Sequence, residues 1–363
     1  MKLLIIGNGS TGVDIENGLS YINNHTGDFL QALSGKHKVT FSQFTTVYNR
    51  NSNLQNFELS KSGIGYCNLP NKKHPLFIFK LISLIMQHDF VYIFYPGTLG
   101  TLVGVLSLLL RKPYGLYVRG EHFTRFKLDN RVLKGSEFIL TISPLFVSKL
   151  HEYCSKVAVI KPMIAITSQD FKTNRVYFNK DVVRFLFVGR VEFDKGIYEL
   201  IDIANYLKSK AIKCIIDVVG GGDLYETIGQ RLQELGLKKF VILHGQVADK
   251  HKLKALYDSA DVFLFPSHHE GFPRVLYEAM ASALPIFTTF VGGISGRMTH
   301  LENCIEIPVK NGDGAAQLVY EYISNTEVLK HIGKTGQNTL GAIIDGTLLT
   351  HHELVLNYLA DEK

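Results

Sequence analysis

The sequence predicts an α/β protein made of two doubly wound, Rossmann-like domains. Short apolar, β-rich runs alternate with helical ones from residue 2 to 160, a polar segment at 165–181 breaks the pattern, and a second series of the same kind starts at Val182. Such alternation signals βαβ units and a parallel sheet covered on both faces. A chain of 363 residues is long enough for two domains of ordinary size.

The first strand is expected at 2–6, within "KLLIIG", and Gly7, Gly9 and Gly12 follow it in the spacing G-x-G-x-x-G. A dinucleotide site needs a helix opening at once and a carboxylate about 20 positions on. Neither follows: "VDIENGLSYINNHTG" has no sustained helical spacing, and the next strand, at 38–44, runs on into Thr45 and Thr46 after Ser42 and Gln43. The stretch therefore reads as a strand and a flexible Gly-rich loop. The carboxyl end of a first strand is still where an open α/β sheet binds a ligand.

Helices are expected near 27–34, 76–87, 99–110 and 144–153, and further strands at 90–95, 114–118, 138–142 and 157–160. Residues 90–110 carry no charge over 21 positions, long enough to span a membrane. Pro96 and Gly97 divide them into a β-rich half and a helical half, which a buried strand, a turn and a core-facing helix explain. The second series opens with a strand at 182–189 and a helix bearing Ile197, Leu200, Ile201, Ala204 and Leu207 on one face. Strands at 214–220, 240–245, 261–265 and 285–289 alternate with helices at 224–235, 251–259 and 273–282. The expected organisation is a first domain at 1–165, a linker at 166–181, a second domain at 182–345 and a helix at 346–363 returning to the first domain. Two such domains would face each other across a cleft, a favoured place for a ligand.

The chain has 46% apolar and 20% charged residues, the balance of a folded protein. A net charge of +6 is compatible with an anionic substrate or a membrane surface and too dispersed for nucleic acid. Cys67, Cys154, Cys214 and Cys304 lie far apart, which suggests neither a zinc site nor a disulfide framework and fits a reducing cytoplasm. The opening apolar run is too short for a signal peptide.

The stretch richest in chemistry is "PSHHEGFPRVLYEAMASALP", residues 266–285. Glu270 lies in the loop after a strand, Pro273 suits a first helical turn, and Glu278 sits about one and a half turns into the helix. Such carboxylates can accept hydrogen bonds from hydroxyl pairs, and the free N–H groups of the turn can meet an anion. Taken alone, the pair also fits one Glu compensating a helix dipole and one solvated Glu. His268 and His269 are adjacent and cannot easily converge on one metal ion.

The surroundings decide. The stretch resembles the E-x7-E region of the retaining GT-B glycosyltransferases of family four. "FVGRVEFDKGIYELI" is similar to that family's G-R-(x)n-K-G segment and "DVVGGGDLYETI" to its Gly-rich turn, and "FVILHGQV" and "LKALYDSADVFLFPS" follow in order. "YGLYVRGEH" and "FILTISPLFVSKL" match more loosely. The resemblance implies a GT-B architecture and a metal-independent hexosyl- or N-acetylhexosaminyltransferase in which a nucleotide-diphosphate sugar is a substrate and no cofactor is needed. The implied acceptor is a glycan or a lipid-linked molecule, in surface polysaccharide or glycoconjugate assembly. The implied location is the cytoplasm, compatible with peripheral contact at the inner membrane face.

By the same resemblance Arg190 and Lys195 neutralise the diphosphate leaving group, Glu270 contacts donor-sugar hydroxyls and Glu278 holds the ribose. Backbone groups of Gly189, Gly271, Phe272, Arg274 and Leu276 serve sugar and phosphate, and the turns around Gly221 and Val247 lie near the base. His122 takes the place of a histidine facing the donor sugar, with Glu121 competing for that role, and Gly7 and Gly9 line the cleft as donor-binding residues, near the donor phosphates or the acceptor. A sugar-nucleotide epimerase of the same architecture and a non-catalytic carbohydrate-binding subunit are the alternatives. Three departures stand out: Ala283 occupies a position suited to a glycine with φ > 0, Ser295 and Gly296 replace a common Pro and Glu, and residues 48–67 match no family segment.

Overall fold

The structure, a computed structural model, describes residues 1–48, 56–69, 74, 76–120, 123–124, 127–177 and 181–360. Two compact units divide the chain, Met1–Met163 with Leu348–Lys363, and Ile164–Thr347.

The first unit contains β1 (Lys2–Asp14), β2 (Leu19–Ile22), α1 (Asn24–Ser34), β3 (Lys38–Val47), β4 (Phe57–Glu58), β5 (Gly65–Tyr66), α2 (Leu76–Met86), β6 (Phe90–Tyr95) and α3 (Thr98–Leu109). It continues with β7 (Tyr114–Val118), α4 (Lys127–Lys134), β8 (Phe138–Thr141), α5 (Val147–His151) and β9 (Val157–Val159). Among the described residues, the parallel pairs run β5-β3-β1-β6-β7-β8-β9. All six residues of β6 are buried, as a strand covered on both faces requires, and α3 buries Leu99, Val103 and Leu106 beside it. No helix among the described residues is long and apolar enough to cross a membrane.

Two stretches of this unit depart from expectation. The Gly-rich stretch after residue 6 is not a loop: β1 continues to Asp14, shifting register against β3 between Ile6 and Ser10 and then pairing antiparallel with β2. Gln43 holds that shift, since its Oε1 accepts from the Gly9 N–H at 3.2 Å and its Nε2 donates to Thr11 Oγ1 at 3.1 Å. Helix α4 was not anticipated, because its sequence is mostly polar, and it buries Asp129, Val132 and Leu133. Asp129 accepts hydrogen bonds from Tyr95 and Thr101, a tertiary reason for the helix that its own spacing does not carry.

The second unit contains β10 (Val183–Val188), α6 (Ile197–Ser209), β11 (Cys214–Val219), α7 (Tyr225–Glu234), β12 (Val241–Gly245), α8 (Lys250–Ser259), β13 (Val262–Phe265) and α9 (Arg274–Ala281). It ends with β14 (Ile286–Thr288), β15 (Ile305–Glu306), α10 (Gly312–Tyr322) and α11 (Thr326–Asp345). Its parallel sheet has the order β12-β11-β10-β13-β14-β15 among the described residues. The expected strands and helices fall within two residues of those observed. The segment read as a linker is not free: Lys172 N–H donates to Ala281 O at 2.9 Å, and Tyr177 Oη donates to Ala283 O at 2.9 Å, so residues 164–177 belong to the second unit.

The last helix, α12 (His351–Ala360), belongs to the first unit. Val355 and Leu359 are buried there, and the His351 ring stacks on Phe29 with centroids 4.1 Å apart.

Candidate functional site

The parallel register of β10 with β11 and β13 sends the segments that follow all three strands to one edge of the second sheet. That carboxyl edge is where open α/β sheets bind ligands. Glycines make the close approach of these segments feasible. A Cβ at Gly220, whose φ is +141°, would stand 1.8 Å from Gly189 O, and the Val191 N–H donates to Gly221 O at 2.9 Å. The Gly220 N–H in turn donates to Gly245 O at 2.8 Å, which brings the Gly189, Gly221 and Gly245 turns side by side. Val247 lies two residues past Gly245, packed against the same core.

The turn carrying Glu270 is pinned to the segment after β10. The His268 N–H donates to Asp194 O at 2.8 Å, Ser267 Oγ donates to Asp194 O at 3.1 Å, and Thr289 Oγ1 donates to Ser267 O at 2.5 Å. Gly196, at φ +72°, leaves no room for a side chain because a Cβ there would lie 2.1 Å from Pro266 O. At Gly292, φ +57°, a Cβ would meet Glu270 O at 1.7 Å. The buried His268 ring approaches Glu199 Oε1 to 2.8 Å through Nε2 and adds a tie to α6.

This framework joins Lys195 and Glu270. Lys195 Nζ lies 2.7 Å from Glu270 Oε1, and the two side chains are only 13% and 15% exposed. Ser267 Oγ lies 3.0 Å from the same carboxylate oxygen, so its one proton has Glu270 as an alternative to Asp194 O, while the Asp194 carboxylate lies 3.4 Å from the ammonium. Arg190 behaves differently: its side chain is 59% exposed and pairs with Glu192 at 2.6 Å and, more loosely, with Asp194 at 3.9 Å. Two fixed cations thus stand on one loop, one held against Glu270 and one at the surface.

Glu278 lies on α9, where its Oε2 accepts a hydrogen bond from Tyr257 Oη at 2.7 Å. Burial pushes this carboxyl up from its ordinary value, opposed by the Tyr257 hydrogen bond and the Arg274 charge. Pro273 is the N-cap rather than the first helical residue of α9, with ψ 133°. The Leu276 N–H donates to Pro273 O at 3.2 Å, so it is already engaged, and the Phe272 ring packs on Tyr277 with centroids 4.6 Å apart. Gly271 accepts the Gly293 N–H at 2.6 Å. Ala283 has φ +51°, the left-handed conformation its position called for.

The second unit therefore brings together the segments bearing Gly189, Arg190, Lys195, Gly221, Val247, Glu270, Gly271, Phe272, Arg274, Leu276 and Glu278. Gly7 and Gly9 lie in the first unit, within β1. His122 and its competitor Glu121 lie outside the described residues. No group of three or more His, Cys, Asp or Glu able to hold a metal occurs among the described residues. Sequence reading assigned no role to Ser267, Tyr257 or Arg175. Ser267 lay inside the stretch already singled out, whereas Arg175 bonds backbone carbonyls that no sequence pattern announces.

Residues 168–339 match the family model described as glycosyl transferases group 1. A glycosyltransferase of Methanocaldococcus jannaschii, MJ1607, is 36% identical over 146 residues, covering 40% of this chain and 37% of that protein. The capsular polysaccharide biosynthesis glycosyltransferase CapM of Staphylococcus aureus is 29% identical over 152 residues, 42% of this chain and 39% of that protein. The chain thus spans about two fifths of the length of these relatives in the matches. Among solved structures, Anabaena HepE in complex with UDP superposes with a TM-score of 0.72 over 99% of this chain and 100% of its own, at 17% identity. The fold is that of the GT-B glycosyltransferases.

Proposed function

We propose, from the match of residues 168–339 to the glycosyl transferases group 1 family model, that the chain is a retaining glycosyltransferase. It moves a hexosyl or N-acetylhexosaminyl group from a nucleotide-diphosphate sugar to a glycan or lipid-linked acceptor in surface polysaccharide assembly. The observation that carries this reading is the Lys195–Glu270 pair at 2.7 Å on the loops at the carboxyl edge of the second sheet. An ammonium beside a carboxylate at a ligand-binding edge suits a donor that is anionic at the diphosphate and rich in hydroxyls at the sugar.

In this reading Glu270 accepts from sugar hydroxyls and Glu278 from the ribose. Lys195 and Arg190 take the negative charge that develops on the diphosphate, the work that preorganised cations do best in a transition state. The bond from the anomeric carbon to the diphosphate oxygen breaks, the acceptor oxygen attacks from the same face, and its proton passes to the departing phosphate. No protein nucleophile and no metal takes part. The first unit receives the acceptor. Its α2 exposes Leu76, Phe79 and Met86 at 59%, 70% and 53%, with exposed Lys80 on the same helix, a combination suited to peripheral contact with an anionic membrane.

The test is thermal unfolding with UDP, GDP, ADP and NAD, each with and without EDTA, because a ligand that binds only the folded state raises the midpoint. An EDTA-insensitive rise with one nucleoside diphosphate is expected, and UDP comes first because HepE of the same fold was solved with it. A rise with NAD alone would defeat the reading, and conversion of a nucleotide sugar without any acceptor would replace transfer by epimerisation.

A further inference from the structure

Resting on the reading that Glu278 holds the donor ribose, we propose that Tyr257 and Arg175 are positioning residues for nucleotide binding. Tyr257 orients the Glu278 carboxylate, and Arg175 clamps together the ends of the two helices that carry this pair.

Tyr257 lies on α8 and is 3% exposed, and its hydroxyl donates to Glu278 Oε2 at 2.7 Å. Burial raises the phenol well above its usual range, so it stays a donor. A carboxylate that accepts ribose hydroxyls must be ionised, because a protonated acid offers a donor of its own. Burial drives Glu278 toward the neutral form, and the Tyr257 hydrogen bond opposes that drift. The bond to Oε2 also restrains the orientation of the carboxylate.

Arg175 comes from the segment preceding the second sheet. Its Nε donates to Ser282 O at 2.5 Å, one terminal nitrogen to Ala260 O at 2.6 Å and the other to Tyr257 O at 2.7 Å. Tyr257 and Ala260 lie in the last turn and cap of α8, and Ser282 caps α9. Carbonyls at helix C-termini lack intrahelical partners and carry partial negative charge, which a guanidinium complements. One planar side chain therefore sets the spacing between the helix bearing Tyr257 and the helix bearing Glu278. A lysine, with a single ammonium, cannot reproduce three diverging bonds.

The experiment measures calorimetric affinities of wild type, Tyr257→Phe, Arg175→Lys and Glu278→Gln. The probe is whichever of UDP, GDP and ADP binds wild type most tightly, compared with its 2′,3′-dideoxy counterpart. Tyr257→Phe and Arg175→Lys are expected to weaken the ribonucleotide about tenfold and leave the dideoxynucleotide unchanged, as one lost charge-assisted bond implies. Adding Tyr257→Phe to Glu278→Gln should then cause no further loss. Equal weakening of both nucleotides would reduce the two residues to a general structural role and overturn the proposal, as would no weakening of either. If Glu278→Gln leaves the preference for the ribonucleotide intact, the ribose reading itself fails. If Glu278→Gln abolishes that preference while the other two variants keep it, only the positioning proposal fails. Binding of none of the three nucleotides overturns both.

Discussion

The first strands of the two sheets, β1 and β10, both run into glycines, and they use them in opposite ways. Gly196, after β10, and Gly220, after the neighbouring β11, take positive φ and lie where a Cβ would strike backbone carbonyls at 2.1 and 1.8 Å. In β1, neither Gly7 nor Gly9 adopts a left-handed φ, and the nearest obstacle to a Cβ at each is the side-chain oxygen of Gln43. Gly196 and Gly220 bring loops together around charged side chains, whereas Gly7 and Gly9 lie within a strand. A glycine spacing alone does not distinguish these cases. The backbone conformation and the neighbour that a Cβ would meet do.

The largest effect expected from this contrast is chemical. Lys195→Ala removes the cation held at 2.7 Å from Glu270 and should lower turnover by about 10²–10³, the usual loss when one preorganised transition-state partner is deleted. Initial rates with donor and acceptor, alongside circular dichroism to confirm folding, measure it. A loss below about tenfold would remove Lys195 from leaving-group stabilisation.

Next comes backbone strain. Gly196→Ala forces a side chain into φ +72° and against Pro266 O, a backbone atom that cannot swing away. Urea unfolding should show a destabilisation of about 3 kcal/mol. Retention of wild-type stability would mean that the loop bearing Lys195 is free to reshape, and the close packing of that loop on the Glu270 turn would lose its purpose.

The second unit was the more legible of the two for a physical reason. Its strands "RFLFV", "IIDVV" and "VFLF" are largely apolar runs broken only by the paired Arg184 and Asp217, and Arg190, Lys195, Glu270 and Glu278 all lie within the loops and helix that follow β10 and β13. Each is announced by the strand that precedes it, although the Lys195–Glu270 contact itself spans 75 residues. The first unit hides its logic in distant contacts: β1 persists through glycines because Gln43, 34 residues from Gly9, bridges the register shift. The second unit shares this trait at Arg175, which bonds carbonyls 82, 85 and 107 residues away that no spacing rule marks.

A smaller effect separates the units by pH. The first unit closes with α12, where the buried His351 lies 2.7 Å from Tyr92 Oη through Nε2 and its Nδ1 has no hydrogen-bond partner among the described residues. Burial, with Arg119 and His352 nearby, holds its pKa well below the ordinary 6.5. The unfolded chain therefore binds a proton near pH 6.5 that the folded one refuses. Above that pH the residue contributes no pH dependence, and below it stability falls by up to about 1.4 kcal/mol per pH unit until the folded pKa is reached. His351→Phe should flatten that part of the profile between pH 7 and 5, measured as the difference from wild type in urea unfolding. Parallel profiles would mean that His351 protonates in place.

The smallest effect is the most direct test of the opening glycines. Gly9→Ala places a Cβ 3.5 Å from Gln43 Oε1, an ordinary contact, on extended backbone that any residue adopts. The substitution also removes unfolded-chain entropy, which offsets whatever small adjustment Gln43 makes. Stability should stay within about 0.5 kcal/mol of wild type, and the nucleotide-induced rise in midpoint should be unchanged. A pyrophosphate lying on the backbone of a dinucleotide fingerprint would not tolerate that methyl group, because close approach is the reason for glycine there. Loss of nucleotide binding in Gly9→Ala, with binding kept in Gly196→Ala, would reverse the comparison and move the phosphate site to β1.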